Sequence, residues 1–252
     1  MTDSVIVTGG ADSVGRVMAE RFLARGDRVH ICDVNAEALS ATLADNPGMR
    51  GTLASVGDPL AVEQVFRDAA WMGDVTVLVN NVGIGGPRGA MEDLDYEQWN
   101  ACININLNGM FYCMKNAIPA MKRQGRGVII NFSSGSTRTR LPLRAAYVAS
   151  KAGVEGLTLN AARELGPFNI RCNAILPGMI NNARMQGIIE TNARAQGRTA
   201  AEVEAGYLQY ISMRTKIEPS EIADMVLFLA SEGARKVTGE LISVSGNSEW
   251  EI

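Results

Sequence analysis

Short β-branched runs alternate with longer amphipathic segments along most of the chain. Val5 to Val7 leads into a helix predicted from about Val14 to Arg25, and Arg28 to Cys32 into another from about Ala36 to Ala44. The rhythm continues through Thr52 to Val56, a helix from about Leu60 to Trp71, and the strand Val75 to Val79. Next come a long helix around Tyr96 to Lys122, the strand Val128 to Phe132, a helix from about Tyr147 to Leu165 and the strand Ile170 to Ile175, with a last strand near Leu241 to Val244. Such alternation indicates parallel strands joined by crossover helices. Thr76-Val-Leu-Val79 and Val128-Ile-Ile130 are almost wholly apolar, as central parallel strands buried on both faces must be. The pattern predicts an α/β fold with a seven-stranded sheet.

One stretch breaks the rhythm. Between Pro177 and Pro219 the chain carries Asn181, Asn182, Arg184, Arg194, Arg198 and Arg214 among helix-forming residues, with no strand. An insertion at the carboxyl end of a strand lies over the ligand crevice of an α/β sheet. The segment at about 179–216 is therefore predicted to be a mobile lid that closes and excludes water. A solvated helical hairpin or a subunit contact is the alternative.

Composition narrows the classes. With 252 residues and 46% hydrophobic content the chain suits one substantial core, so residues 1–252 are read as a single domain. A net charge of -3 from 24 basic and 27 acidic residues, with no basic block, gives no footprint for nucleic acid. Cys32, Cys102, Cys113 and Cys172 are scattered in apolar stretches without zinc or disulfide spacing, and read as reduced core residues. The chain runs almost directly into Ser4 to Thr8, and no apolar run approaches the ~18 residues that span a bilayer, so a soluble cytoplasmic protein is expected. His30, the only histidine, falls in a strand, which argues against a histidine triad or histidine-held metal; no metal is expected.

Tyr147 and Lys151 lie four residues apart in Ala-Ala-Tyr-Val-Ala-Ser-Lys, with Ser134 thirteen residues upstream of the tyrosine. On a helix this spacing puts a phenol and an ammonium on one face. A free tyrosine, with a pKa near 10, is a poor base at neutral pH, and a nearby ammonium favours the phenolate. The pair can exchange a proton with an alcohol or a carbonyl.

A nucleotide site is predicted at the first turn. Thr8-Gly-Gly-Ala-Asp-Ser-Val-Gly15 follows a buried strand and opens a helix, where Gly9 and Gly15 let the backbone approach a pyrophosphate. Asp33 ends the second strand, where an acid can accept from the adenosine ribose hydroxyls and would repel a 2′-phosphate. Asp33 is followed by Val34 and Asn35 rather than an arginine, so the expected cofactor is NAD rather than NADP. The alternative is a helix N-terminal acid before Ala36. Asp12 would oppose a pyrophosphate if it pointed inward, and is expected to point out or cap the helix at Ser13 or Val14.

Thr8-Gly9 with Gly15, Asn80-Asn81-Val82-Gly83, Asn106, Ser134, Tyr147 with Lys151, and Pro177-Gly178 stand in the order of one family's motifs. The chain resembles the classical short-chain dehydrogenases/reductases over nearly its whole length. The resemblance implies a doubly wound Rossmann sheet with helices on both faces, a nicotinamide dinucleotide across its carboxyl edge, and a homotetramer. It also implies roles. Tyr147 looks like the acid/base, Lys151 like the group that lowers its pKa and holds the nicotinamide ribose, and Ser134 like the hydroxyl that polarises the substrate oxygen. Asn106 looks like the fourth member, which anchors a water beside the lysine. Asp12, Ser13, Val14, Asp33, Val34, Ser55, Val56, Asn81, Val82, Gly83, Pro177, Gly178, Ile180 and Asn182 are assigned to the cofactor with Gly9, Gly15, Tyr147 and Lys151.

The chain departs from the family in places. Ser13 stands where a second glycine is usual, Ser55 replaces an aspartate after the third strand, and Asn182 replaces a threonine four residues after Gly178. Val244-Ser-Gly-Asn247 replaces a valine followed by Asp and Gly. These bear on cofactor affinity rather than reaction class.

The implied reaction is reversible hydride transfer between NAD(H) and a secondary alcohol or ketone. Arg138, Arg140 and Arg144, with Arg184 and the other lid arginines, suggest a carboxylate or phosphate on the substrate. Gly85, Gly86, Pro87 and Arg88 form the other predicted wall. Few large apolar residues (Ile188, Ile189, Tyr207, Leu208, Tyr210) occupy the lid, which favours a small polyol, sugar or hydroxy acid over a steroid or long acyl chain. A non-catalytic dinucleotide sensor, or an epimerase or dehydratase that retains NAD, are the competing classes. Met110, Met114 and Met121 read as core or subunit interface, and Trp250 as an interface anchor or a frayed tail.

Overall fold

A computed structural model describes residues 2–248, so that Trp250 lies outside the described residues. In chain order it contains β1 (Ser4–Thr8), α1 (Ser13–Ala24), β2 (Arg28–Asp33), α2 (Ala36–Asp45), β3 (Arg50–Leu53), α3 (Pro59–Asp68), β4 (Val77–Asn80), α4 (Tyr96–Ile103) and α5 (Gly109–Gln124). There follow β5 (Gly127–Phe132), α6 (Ser136–Thr139), α7 (Ala145–Leu165), β6 (Ile170–Pro177), α8 (Ala183–Gln196), α9 (Ala200–Leu208), α10 (Pro219–Ala230) and β7 (Leu241–Val244). The seven strands are all parallel, in the order β3-β2-β1-β4-β5-β6-β7. The order reverses between β1 and β4, and the crevice of a doubly wound sheet opens at that point, beyond the carboxyl ends of the strands.

Helices cover both faces because the apolar strands have apolar side chains to bury on each. Met18 and Phe22 of α1 and Ile222 and Val226 of α10 pack under one face against Val5, Val7 and Ile130. On the other, Met110, Met114 and Met121 of α5 and Val154 and Leu165 of α7 pack against Ile6, Leu78 and Ile129. The three methionines are thus core residues, each at most 3% exposed. Helix starts follow capping chemistry. Asp12, Asn35, Asp58 and Asp95 cap α1, α2, α3 and α4, and Thr199 with Glu202 forms a capping box on α9.

The structure departs from the sequence pattern at three elements. The long helix expected over Tyr96 to Lys122 is interrupted by a π-helical turn, Asn104–Asn108. Tertiary contacts impose the interruption. The Asn104 amide donates to Gly57 O at 2.9 Å, and Gly109 lies so close to Val56 that a Cβ there would stand 2.8 Å from its carbonyl oxygen. The third strand is Arg50–Leu53, which leaves Ser55 and Val56 in the loop beyond it. Helix α10 was not read from the sequence, although Pro219 at its first position and Glu221 in its first turn are start signals.

Helices α8 and α9 fill the segment between β6 and α10 and share a small core of Met179, Ile189, Ala193, Val203 and Ile211. His30 is buried, accepting from Trp71 Nε1 at 3.4 Å and lying 2.9 Å from Thr52 Oγ1. The cysteines are free and buried. Among the described residues no helix is long and apolar enough to cross a membrane, and no cluster of His, Cys, Asp or Glu could hold a metal ion.

Candidate active site

A cleft of about 890 Å³ lies across the carboxyl ends of the strands. It is lined by every residue assigned above to the dinucleotide, together with Ser134, Arg144 and Arg184.

The glycine turn is shaped by close approach. Gly9 has φ +61°, and a Cβ on Gly15 would stand 1.8 Å from Gly9 O, so no other residue fits at the start of α1. Asn81, at the end of β4, fixes the turn from the next strand. Its amide donates to Thr8 O and Gly9 O at 3.1 Å each, and its backbone N–H to Thr8 Oγ1 at 3.0 Å. Ser13, in the place of the family's second glycine, has φ +50°, which shows why glycine is preferred there. Asp12 turns its carboxylate back to accept from Ser13 N at 2.7 Å and so caps α1. The next two amides, of Val14 and Gly15, belong to the first helical turn, whose N–H groups have no carbonyl four residues back to bond and suit an anion. Asn182 caps α8 through Met185 N (2.9 Å) and donates to Ser13 Oγ at 3.1 Å, which joins the α8 segment to the glycine turn. Ser55 Oγ accepts from Gly57 N at 3.3 Å. These features fit a dinucleotide.

At the other end of the cleft stand Ser134, Tyr147 and Lys151. The first turns of α7 carry the phenol and the ammonium, with Lys151 Nζ 6.0 Å from the centre of the Tyr147 ring. Lys151 is buried and donates to Phe132 O at 2.7 Å. Burial, followed by the charge of Arg184, pushes its pKa down to about 8. Ser134, just past β5, accepts from Ser136 N at 3.2 Å through its hydroxyl. Asn106 lies beneath the cleft rather than on its wall, fully buried in the π-helical turn. Its Oδ1 accepts from Ile84 N at 2.8 Å, and its Nδ2 donates to Ile84 O at 2.9 Å and Ser150 Oγ at 3.0 Å. It thereby fixes the loop after Gly83, where a Cβ would stand 3.0 Å from Lys151 Nζ.

The substrate wall is only partly as the sequence suggested. Arg144 donates to Gly85 O at 2.7 Å and stacks 5.2 Å from the centre of the Tyr147 ring, and Arg184 donates to Gly83 O at 3.1 Å. Arg140 is exposed, in a left-handed conformation after α6, and does not line the cleft. Gly85 contributes its carbonyl to Arg144 and is not itself on the lining. Arg138 pairs with Glu155 at 3.6 Å. Of the lid residues, Ile188, Tyr207 and Tyr210 reach the cleft, whereas Ile189 is buried in the α8–α9 core. Asn192 was missed. It accepts from Arg88 at 3.3 Å and donates to the Tyr207 hydroxyl at 2.6 Å. Arg184, Ile188 and Asn192 are spaced four apart and line the cleft together, so helical periodicity from Arg184 would have found it.

Residues 9–246 match the family model described as Enoyl-(Acyl carrier protein) reductase. The chain is 35% identical over 238 residues to D-xylose 1-dehydrogenase of Caulobacter vibrioides, covering 93% of this chain and 91% of that one. Among solved structures, actinorhodin polyketide ketoreductase with NADPH superposes with a TM-score of 0.92 at 29% identity, covering 98% of both chains. An NAD+-bound xylitol dehydrogenase superposes at 0.88 and 27% identity, covering 97% of this chain and 98% of that one.

The NADPH complex overturns the choice of NAD over NADP drawn from Asp33, since chains of this architecture bind either dinucleotide. In this chain the Asp33 carboxylate already accepts from Ala11 N at 3.2 Å and Asn35 N at 3.0 Å. It holds the turn and the start of α2, so its presence has a structural cause whichever cofactor binds.

Proposed function

The chain belongs to the short-chain dehydrogenase/reductase family, and from that premise we propose a division of labour among its residues and a class of substrate for the NAD(P)-dependent oxidoreduction it performs. The substrate is a small polar secondary alcohol or its ketone: a polyol, a sugar or a hydroxy acid. The observation that carries the reading is that Tyr147, Lys151 and Ser134 line the same cleft as the glycine turn.

When bound, the dinucleotide supplies the hydride acceptor or donor at its nicotinamide. In the oxidative direction Tyr147 takes the hydroxyl proton, and Ser134 donates to the oxygen as it becomes a carbonyl. In reduction Tyr147 returns the proton to the alkoxide oxygen. Lys151 offers donors to the nicotinamide ribose beside the Tyr147 ring. Asn106 acts through the loop at Gly83 and Ile84, which it holds beside Lys151. Proton transfer of this kind supplies roughly 10² to 10⁴-fold, and the remaining acceleration comes from orienting carbinol carbon and nicotinamide. The segment 179–216 acts as a lid that excludes water over this chemistry.

The reading extends to a homotetramer in the cytoplasm. Exposed Phe111 on α5 and Leu159 on α7 offer apolar surface on long helices, and buried free thiols suit a reducing compartment. The test is formation of reduced dinucleotide, with NAD and with NADP, from a panel of polyols, sugars and hydroxy acids. Activity confined to apolar ketones would refute the polar substrate. Substrate conversion without net reduction would indicate an epimerase, and binding without turnover a sensor.

A further inference from the structure

The substrate end of the cleft carries three arginines and no acid. Arg144 and Arg184 converge on Gly85, where a Cβ would begin 2.8 Å from one guanidinium nitrogen and 3.0 Å from the other. Arg88 stands on the same wall, held by Asn192. None of the three has a carboxylate partner among the ion pairs of the described residues. The acids that line the cleft, Asp12, Glu20 and Asp33, belong to its glycine-turn and β2 end. Arg16, the arginine at that end, is neutralised by Glu20 and Asp45 at 2.7 Å each. The acids of the cleft therefore lie where a dinucleotide would, and the positive charge beyond Tyr147 has no acid to offset it.

Arg144 shows the imbalance most clearly. Its Nε is buried without a hydrogen-bond partner. Burial holds its pKa below the usual arginine value, and the charges of Arg184 and Arg88 press the same way. A solvated loop arginine would leave none of these marks. A partly buried guanidinium with unused donors is costly until an acceptor arrives. Its planar fork matches paired anionic oxygens.

Resting on the oxidoreductase reading above, we propose that the substrate carries an anionic group, a carboxylate or a phosphate, seated between Arg144 and Arg184 with Arg88 at the mouth. A hydroxy acid or a phosphorylated polyol is then preferred over a neutral sugar.

The test uses two pairs of secondary alcohols: 3-hydroxybutanoate against butane-1,3-diol, and glycerol 3-phosphate against glycerol. Binding is measured by calorimetry at constant ionic strength with the enzyme saturated in reduced dinucleotide. The expected result is that at least one anion binds roughly tenfold or more tightly than its neutral counterpart. R144Q and R184Q, each checked for native circular dichroism, are expected to bring that ratio close to one. The tighter of the two anions identifies carboxylate or phosphate as the group. No binding of either anion, or a preference that survives both substitutions, overturns the proposal. So does an equal loss of turnover by R144Q on charged and neutral alcohols, which would assign Arg144 to Tyr147 alone. Preferential anion binding with no turnover of any alcohol would leave the anion site standing and count against the redox reading.

Discussion

Lys151 faces the Tyr147 ring, its Nζ 6.0 Å from the ring centre and tethered to Phe132 O at 2.7 Å. The tether fixes the ammonium independently of the phenol, so removing the hydroxyl leaves the cation in place. Tyr147→Phe is therefore expected to cost about 10² to 10⁴-fold in turnover. Dinucleotide affinity, read by fluorescence titration, should stay within a few-fold of the wild type. Near-normal turnover would remove Tyr147 from the chemistry.

The same burial makes the lysine titrate unusually early. With its pKa pushed down to about 8, the folded protein holds this proton less tightly than the unfolded chain, whose lysine titrates near 10.5. The fold is thus penalised while Lys151 is charged, and the penalty fades as pH rises from about 8 toward 10.5. Dinucleotide affinity should show the opposite trend and weaken above pH 8, as the donor to the ribose loses its charge. Arg184 is the second cause of the shift, so Arg184→Gln should move this alkaline limb to higher pH. Affinity that is flat across that range in both proteins would show that Lys151 does not hold the cofactor.

His30 supplies a second pH dependence, far from the cleft. Trp71 Nε1 donates to its Nδ1, so Nε2 carries the proton and donates to Thr52 Oγ1, which in turn donates to Asp68 at 2.7 Å. Burial is the main cause that lowers its pKa to about 4, against an unfolded value of 6.5. Below 6.5 the unfolded chain takes up a proton that the folded one refuses. Stability is full above that pH and is lost as pH falls from 6.5 to about 4, by on the order of 3 kcal/mol. Urea denaturation at pH 7 and pH 4.5 should show this slope in the wild type and a shallower one in His30→Gln. Equal slopes would place the acid sensitivity elsewhere.

The sheet could be read from the chain because each parallel strand is written as a short apolar run, and such runs need no partner to be recognised. The glycine turn and the Tyr147–Lys151 spacing are equally local, and both stand where that reading put them. What escaped depends on distant residues. The π-helical turn at Asn104–Asn108 arises from contacts with Gly57 and Val56, and nothing in Asn-Ile-Asn-Leu-Asn distinguishes it from helix. Arg138, Arg140 and Arg144 look alike in sequence, yet only Arg144 faces the cleft, because α6 and the left-handed residue after it turn the other two away. The cofactor choice was overturned by comparison with NADPH-binding chains of the same architecture. Chains of this architecture bind NADPH as well as NAD+, so an acid at Asp33, which also accepts from the Ala11 and Asn35 amides, does not by itself choose between them.

Asn106 offers the sharpest separation of positioning from chemistry, because it does not line the cleft and yet holds both backbone groups of Ile84. Asn106→Ala would strip that loop of two hydrogen bonds and leave Ser150 Oγ without its amide donor. Each of these three polar groups costs about 1 to 3 kcal/mol when stranded, so a stability loss of roughly 3 kcal/mol or more is expected in denaturant unfolding. Release of the loop lets Gly83 shift against Lys151 Nζ, which a Cβ on that glycine would approach to 3.0 Å. Both kcat and the KM for dinucleotide should therefore worsen. Asn106→Asp keeps an acceptor for the Ile84 amide but sets a second carboxylate oxygen against the Ile84 carbonyl. It should recover little of either loss, since two like acceptors then face each other in a buried site. If Asn106→Asp instead restored wild-type stability and turnover, the amide's donor side would be dispensable and the loop would be held by other contacts.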